Sequence, residues 1–145
     1  MDPQTLLSGR WEHFPHGADI GVRGIAPTLA GAFEQAALAL TAIVIDPAEL
    51  DGDEQVEIEC EAPDAELLLV DWLNAIVYEM ATRRLIFGRF EVETDGNHLR
   101  AKAFGRPMDA DQLELAVEPK GATYTALSVA RGEDDVWTAQ CVVDV

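Results

Sequence analysis

Basic residues are scarce in this chain: 10 Lys and Arg stand against 27 Asp and Glu, a formal net charge of −17 over 145 residues. From Asp46 to Glu66 there are ten acids and no Lys or Arg. Such a surface repels phosphate backbones, whereas a protein that grips RNA by itself shows a basic stripe that releases counterions. Any service to nucleic-acid chemistry is therefore expected to run through a basic partner that holds the nucleic acid; solubility alone is the other use of such acidity. Cysteine is nearly absent. Cys60 and Cys141 each alternate with polar neighbours in an expected strand, which points to buried thiols and not to a disulfide framework or a zinc knuckle. No apolar run approaches the roughly 18 residues of a membrane span, and the first thirty residues lack the basic start and apolar stretch of a secretory signal. A soluble, cytoplasmic protein is expected. Internal repeats and low-complexity linkers are missing too, so residues 1–145 read as one domain, with residues 1–9 as a flexible N-terminal extension.

What is present is enough apolar residue, 48% of the chain, to build one core. Leu29, Phe33, Ala37, Leu40 and Val44 recur at helical spacing, after Pro27-Thr28 and before the Asp46-Pro47 stop, and predict a core-facing helix from Thr28 to about Val44. A second helix is predicted from Pro63-Asp64, where Asp64 can cap and Glu66 suits the positive end, through Leu69, Trp72, Leu73, Ile76 and Met80 to Arg83 and Arg84.

Strands fill the remainder. Val56, Ile58 and Cys60 alternate with Glu57, Glu59 and Glu61, the period of a strand with one buried and one wet face. Phe90–Glu93 and Leu99–Ala103 flank Asp95-Gly96, a hairpin turn signal, and place Glu91 and Glu93 against Arg100 and Lys102 as structural pairs. A last hairpin joins Leu127-Ser128-Val129 to Val136–Val145 through Gly132–Asp135. The expected fold class is α+β: a single domain with two helices packed on a largely antiparallel β-sheet.

Two places carry polar groups with chemical potential. In the final strand Thr138, Gln140 and Asp144 share a face, so the Asp144 carboxylate and the main-chain carboxylate of Val145 sit one residue apart, a pairing suited to a hard cation. The alternative is a pair of solvated terminal acids. In His16-Gly17-Ala18-Asp19, a small-residue turn lies between two apolar strands. Either His16 and Asp19 serve a site on this loop, or Asp19 bonds backbone amides while His16 packs. Asp71 interrupts Leu67–Val70 and Trp72-Leu73 at the margin of an apolar helix face, where it needs a partner; Lys120 is one candidate and backbone donors are another.

Together these stretches resemble the archease family over nearly the full length. The resemblance is carried by His16-Gly17-Ala18-Asp19-Ile20-Gly21, Thr28-Leu29-Ala30-Gly31-Ala32-Phe33, Asp71-Trp72-Leu73-Asn74 and Val143-Asp144-Val145, and more loosely by Lys120 with Thr123-Tyr124. It implies a small α+β accessory protein that activates the GTP-dependent RNA-splicing ligase of tRNA splicing or RNA repair, promoting guanylylation and multiple turnover. The implied protein is a non-catalytic cofactor of the ligase and carries no catalytic residues. It meets RNA only indirectly, through that partner, and has no membrane partner.

The resemblance also implies a divalent metal held by Asp19 and Asp144, with the main-chain carboxylate of Val145 as third donor. An all-oxygen set suits calcium, with magnesium as the second choice. His16, Asp71 and Lys120 are implied around that site, as groups that orient the ligands or contact the partner. Arg106 stands where the family tends to carry an acid, and Leu113 and Thr125 where it tends to carry histidines. Two other functions fit the residues: a small metal-dependent hydrolase with Asp19 or Asp144 as base and His16 as acid, and a metal-free acidic interaction module docking a basic protein on Val56–Glu61.

Overall fold

The computed structural model describes residues 9–109 and 118–145. The expected N-terminal extension, apart from Gly9, and Leu113 lie outside the described residues. Strands β1 (Arg10–His16) and β2 (Asp19–Ala26) form a hairpin, followed by helix α1 (Leu29–Thr41), a 3-10 turn at Pro47–Glu49, strand β3 (Glu54–Glu61) and helix α2 (Ala65–Arg83). A long hairpin of β4 (Leu85–Asp95) and β5 (His98–Pro107) comes next, then β6 (Gly121–Ala122), β7 (Ser128–Arg131) and β8 (Trp137–Asp144).

Both helices start where the sequence says. Thr28 accepts from the Gly31 amide at 3.0 Å and Asp64 from the Leu67 amide at 2.8 Å, each satisfying a donor that the first turn leaves open. Helix α1 stops three residues short of the predicted Val44. Beyond Thr41 the chain tightens into i to i−3 bonds, from Ile43 to Leu40 and from Val44 to Thr41. The Thr41 hydroxyl, fully buried, donates to the Phe87 carbonyl at 2.6 Å and pins this end of the helix to β4.

The strands are antiparallel throughout, as predicted, but they divide into two sheets where one was expected. The first runs β1-β2-β8-β6, with β7 also on β8; the second is β3-β5-β4. Each sheet has an apolar face to cover, and α1 touches β2, β8 and β1 of the first and β4 of the second. One helix serving both faces is what allows two small sheets to share one core. Trp72 from α2 closes it, fully buried, with Nε1 donating to the Phe33 carbonyl at 3.0 Å and its ring edge-on to Phe90. Helix α1 lies so close to β2 that a Cβ on Gly24 would stand 2.1 Å from the Ala32 carbonyl oxygen. Glycine there, facing an alanine-rich helix, sets the layer spacing.

The charge rows fall in the predicted register: Glu91 opposite Lys102, Glu93 opposite Arg100. On the other side β3 adds Glu57 opposite Lys102 and Glu59 opposite Arg100. The basic row of β5 thus lies between two acidic rows. Cys141 is buried and Cys60 half-buried, both free. Among the described residues no helix is long and apolar enough to cross a membrane.

Strand β8 lies in the middle of its sheet. It pairs with β2 from Trp137 to Val143, while β7 and then β6 share its other edge. Val143 is completely buried. The strand therefore stays in the sheet as far as Val143, while Asp144 is exposed and Val145 half-buried.

Candidate functional site

The β1–β2 hairpin turns through Gly17-Ala18, with His16 paired to Asp19 across the loop. Gly17 has φ of +59°, the first-position geometry of a two-residue loop that opens on glycine. The same end of the sheet receives β8. The β2–β8 register ends at Ile20 with Val143, one residue short of Asp19 and Asp144, and the Val145 amide donates to Asp19 Oδ1 at 3.3 Å. Paired residues of an antiparallel ladder point to one face. His16, Asp19 and Asp144 therefore line up on neighbouring strands at one corner. Asp19 and Val145 are half-buried there, and Asp144 and His16 are exposed.

Lys120 also arrives at this corner, but through its backbone. Its amide donates to the Asp144 carbonyl at 2.8 Å, and the following Gly121 pairs with Asp144 in β6. The side chain of Lys120 is exposed and enters no ion pair with Asp71. Asp71 corrects the expectation of a carboxylate in need of a partner. It is exposed, on the side of α2 that faces β3, where its charge helps raise the pKa of the Cys60 thiol. The helix turn carries it out to water, so no compensating cation is required.

The α2 residue that does reach the corner is Asn74. Its Oδ1 accepts from the Ala122 amide at 2.8 Å and its Nδ2 lies 3.4 Å from the Ala122 carbonyl. The sequence signal was present, since Asn74 stands one helical turn from Asp71 in the stretch Asp71-Trp72-Leu73-Asn74, but an amide draws less notice than a carboxylate.

Electrostatics make the corner distinct. On the outer face of the same sheet the charges are paired: Arg23 donates to Glu12 at 2.6 Å and to Gln140 at 2.8 Å, and Arg10 adds a second contact to Glu12. The Arg23 and Arg10 guanidinium groups hold the Glu12 carboxyl below its ordinary value against the opposing effect of burial. Neither Asp19 nor Asp144 enters an ion pair among the described residues. Two uncompensated carboxylates on facing strands are a poor arrangement for stability and a good one for a cation.

The described residues gather no cluster of three or more His, Cys, Asp or Glu side chains for a metal. The chemistry is oxygen-only, which suits calcium or magnesium and disfavours soft metals.

Of the three departures, Arg106 lies on β5 opposite Ile86 in the second sheet. Thr125 is exposed beside β8, its carbonyl accepting from the Val142 amide at 3.0 Å.

Comparison with known proteins agrees along the whole fold. A family model described as Archease protein family (MTH1598/TM1083) matches residues 11–145. The chain is 38% identical over 140 residues to the protein archease of Pyrococcus furiosus, spanning 94% of this chain and 99% of that one. It is 36% identical over 141 residues to that of Methanosarcina barkeri, spanning 94% and 96%. Among solved structures, protein 1598 of Methanobacterium thermoautotrophicum superposes with a TM-score of 0.81 at 28% identity, over 93% of this chain and 98% of the other. An archease of Thermotoga maritima, described as a possible chaperone, shares the fold with a TM-score of 0.58 at 19% identity, over 92% and 96%.

Proposed function

Since this chain belongs to the archease family, we propose that it is a metal-binding accessory protein that activates a GTP-dependent RNA-splicing ligase in tRNA splicing or RNA repair. The observation that carries this reading is the corner itself: Asp19 on β2 and Asp144 on β8 enter no ion pair among the described residues, and the Val145 amide ties the end of β8 to Asp19. Asp19 and Asp144 would hold the ion with Val145 beside them, calcium by preference and magnesium second. A divalent ion held there would supply positive charge beside a docked ligase. The chain's own residues do the rest. The hairpin and β8 fix the two carboxylates, Asp19 is oriented by the Val145 amide, and exposed His16 and Lys120 stand beside them where a partner can reach. The net charge of −17 favours a basic partner and disfavours bare RNA.

A second reading, the metal-free interaction module, draws on the exposed row of Glu57, Glu59 and Glu61 on β3. One assay separates the two. Ligation of cleaved RNA is measured with and without this protein, in calcium, magnesium or chelator, for the wild type and for Asp19→Ala and Asp144→Ala. Stimulation lost in both folded variants and in chelator supports the metal-binding activator; full stimulation under all of these conditions overturns it.

A further inference from the structure

Every strand edge must satisfy its outward N–H and C=O groups, and β6 is an edge of the first sheet. At Ala122 those two groups are met by the side chain of Asn74, which offers an acceptor and a donor at 2.8 and 3.4 Å, as a further strand would. The amide stands in for a strand because it carries both functions on one planar group. On its inner side β6 is only two residues long, pairing Gly121 with Asp144 and Ala122 with Val143. A two-residue strand has little hold of its own, yet the Lys120 amide immediately before it secures the Asp144 carbonyl. Asn74 thus connects helix α2, through Ala122, to the backbone that carries Asp144 and Val145.

We infer that Asn74 is a positioning residue for the corner: it holds β6 on β8 and thereby sets the main chain from which Asp144 projects and Val145 bonds Asp19. The docking of α2 on β6 and the order of the corner are then one equilibrium. The role rests on the backbone geometry alone; its consequence for metal rests on the function proposed above, and the measurements keep the two apart.

The test is amide hydrogen exchange by NMR on the full chain without metal, comparing wild type with Asn74→Ala. Asn97→Ala is the control, since it removes another single amide contact, from Nδ2 to the Pro63 carbonyl at 2.9 Å. Exchange at Lys120 and Val145 is expected to quicken about tenfold or more in Asn74→Ala and to stay unchanged in Asn97→Ala. Asn74→Asp keeps the acceptor for the Ala122 amide and loses the donor, so it should lie between; it carries the test if the alanine variant does not fold. Wild-type exchange at Lys120 and Val145 in folded Asn74→Ala or Asn74→Asp overturns the inference. Calcium titration of the same proteins gives the second readout. Weakened calcium binding in Asn74→Ala beside unchanged binding in Asn97→Ala supports the coupling. No calcium binding by the wild type defeats the metal reading and leaves the exchange result to decide the role of Asn74.

Discussion

The amide of Val145 donates to Oδ1 of Asp19 at 3.3 Å, a contact between residues 126 positions apart in the chain. It joins the first hairpin to the end of β8, where neither Asp19 nor Asp144 enters an ion pair among the described residues. If that contact orients a ligand, Asp19→Asn should weaken calcium binding by tenfold or more, because the side chain loses the charge a hard cation needs. Calorimetric titration checks this. Affinity equal to wild type would remove Asp19 from the donor set.

Asp71 and Lys120 should not be coupled. Both are exposed and no ion pair joins them. In a double-mutant cycle of Asp71→Ala with Lys120→Ala, urea unfolding should give an interaction energy below about 0.5 kcal/mol, the range of independent sites. A coupling of about 1 kcal/mol or more would restore the pair.

Gly24 should tolerate nothing larger. A Cβ there meets the Ala32 carbonyl at 2.1 Å and the Ala36 amide nitrogen at 2.3 Å, both helix backbone that cannot swing aside. Gly24→Ala is expected to cost about 2 kcal/mol or more by forcing α1 off β2, read as a fall in the denaturation midpoint. A neutral substitution would mean the helix moves freely on the sheet.

Two glutamates should shift the acid limb of stability in opposite directions. Arg23 beside Glu12 lowers its pKa below 4.5, so the stability it contributes is present above that value and is lost as pH falls through the folded pKa. Glu34 is the reverse: burial raises its pKa despite the Val92 amide donating to Oε1 at 2.8 Å. Its contribution is full below 4.5 and is lost as pH rises through the folded pKa, so the ionised carboxylate weakens the fold at neutral pH. Melting curves against pH should show Glu34→Gln more stable than wild type near neutrality and equal to it in acid. Glu12→Gln should be less stable near neutrality and equal in acid. The same sign for both variants would contradict the assignment.

Neither thiol should react as a thiolate at neutral pH. Burial pushes Cys141 up to about 12 and Cys60 up to about 11, the latter helped by the charges of Asp71 and Glu59. Alkylation at neutral pH should be slow for both in the native protein and rapid on unfolding. Fast native labelling of Cys141 would show that β8 opens.

The helices, the β4–β5 hairpin and the last hairpin were legible along the chain, because caps, turn glycines and hydrophobic period are local signals. Thr28 and Asp64 cap where their neighbours demand it, and Glu91 stands opposite Lys102 because the turn, Gly96-Asn97 where Asp95-Gly96 was expected, sets the register. Asp19 and Asp144 were singled out from a resemblance and from their polar surroundings. That they lie at one corner was decided only by the pairing of β2 with β8, a contact with no local signature. The same holds for the division into two sheets, which depends on α1 having two apolar sides to cover. Asp71 and Asn74 show the limit most clearly. One helix turn separates them, and sequence chemistry favoured the carboxylate, but the rotation of α2 against β6 turns Asp71 to water and Asn74 to the strand edge. Residue type and spacing determine which groups a chain can offer; long-range packing, which alone sets the rotation of a helix and the neighbour of a strand, decides which of them meet.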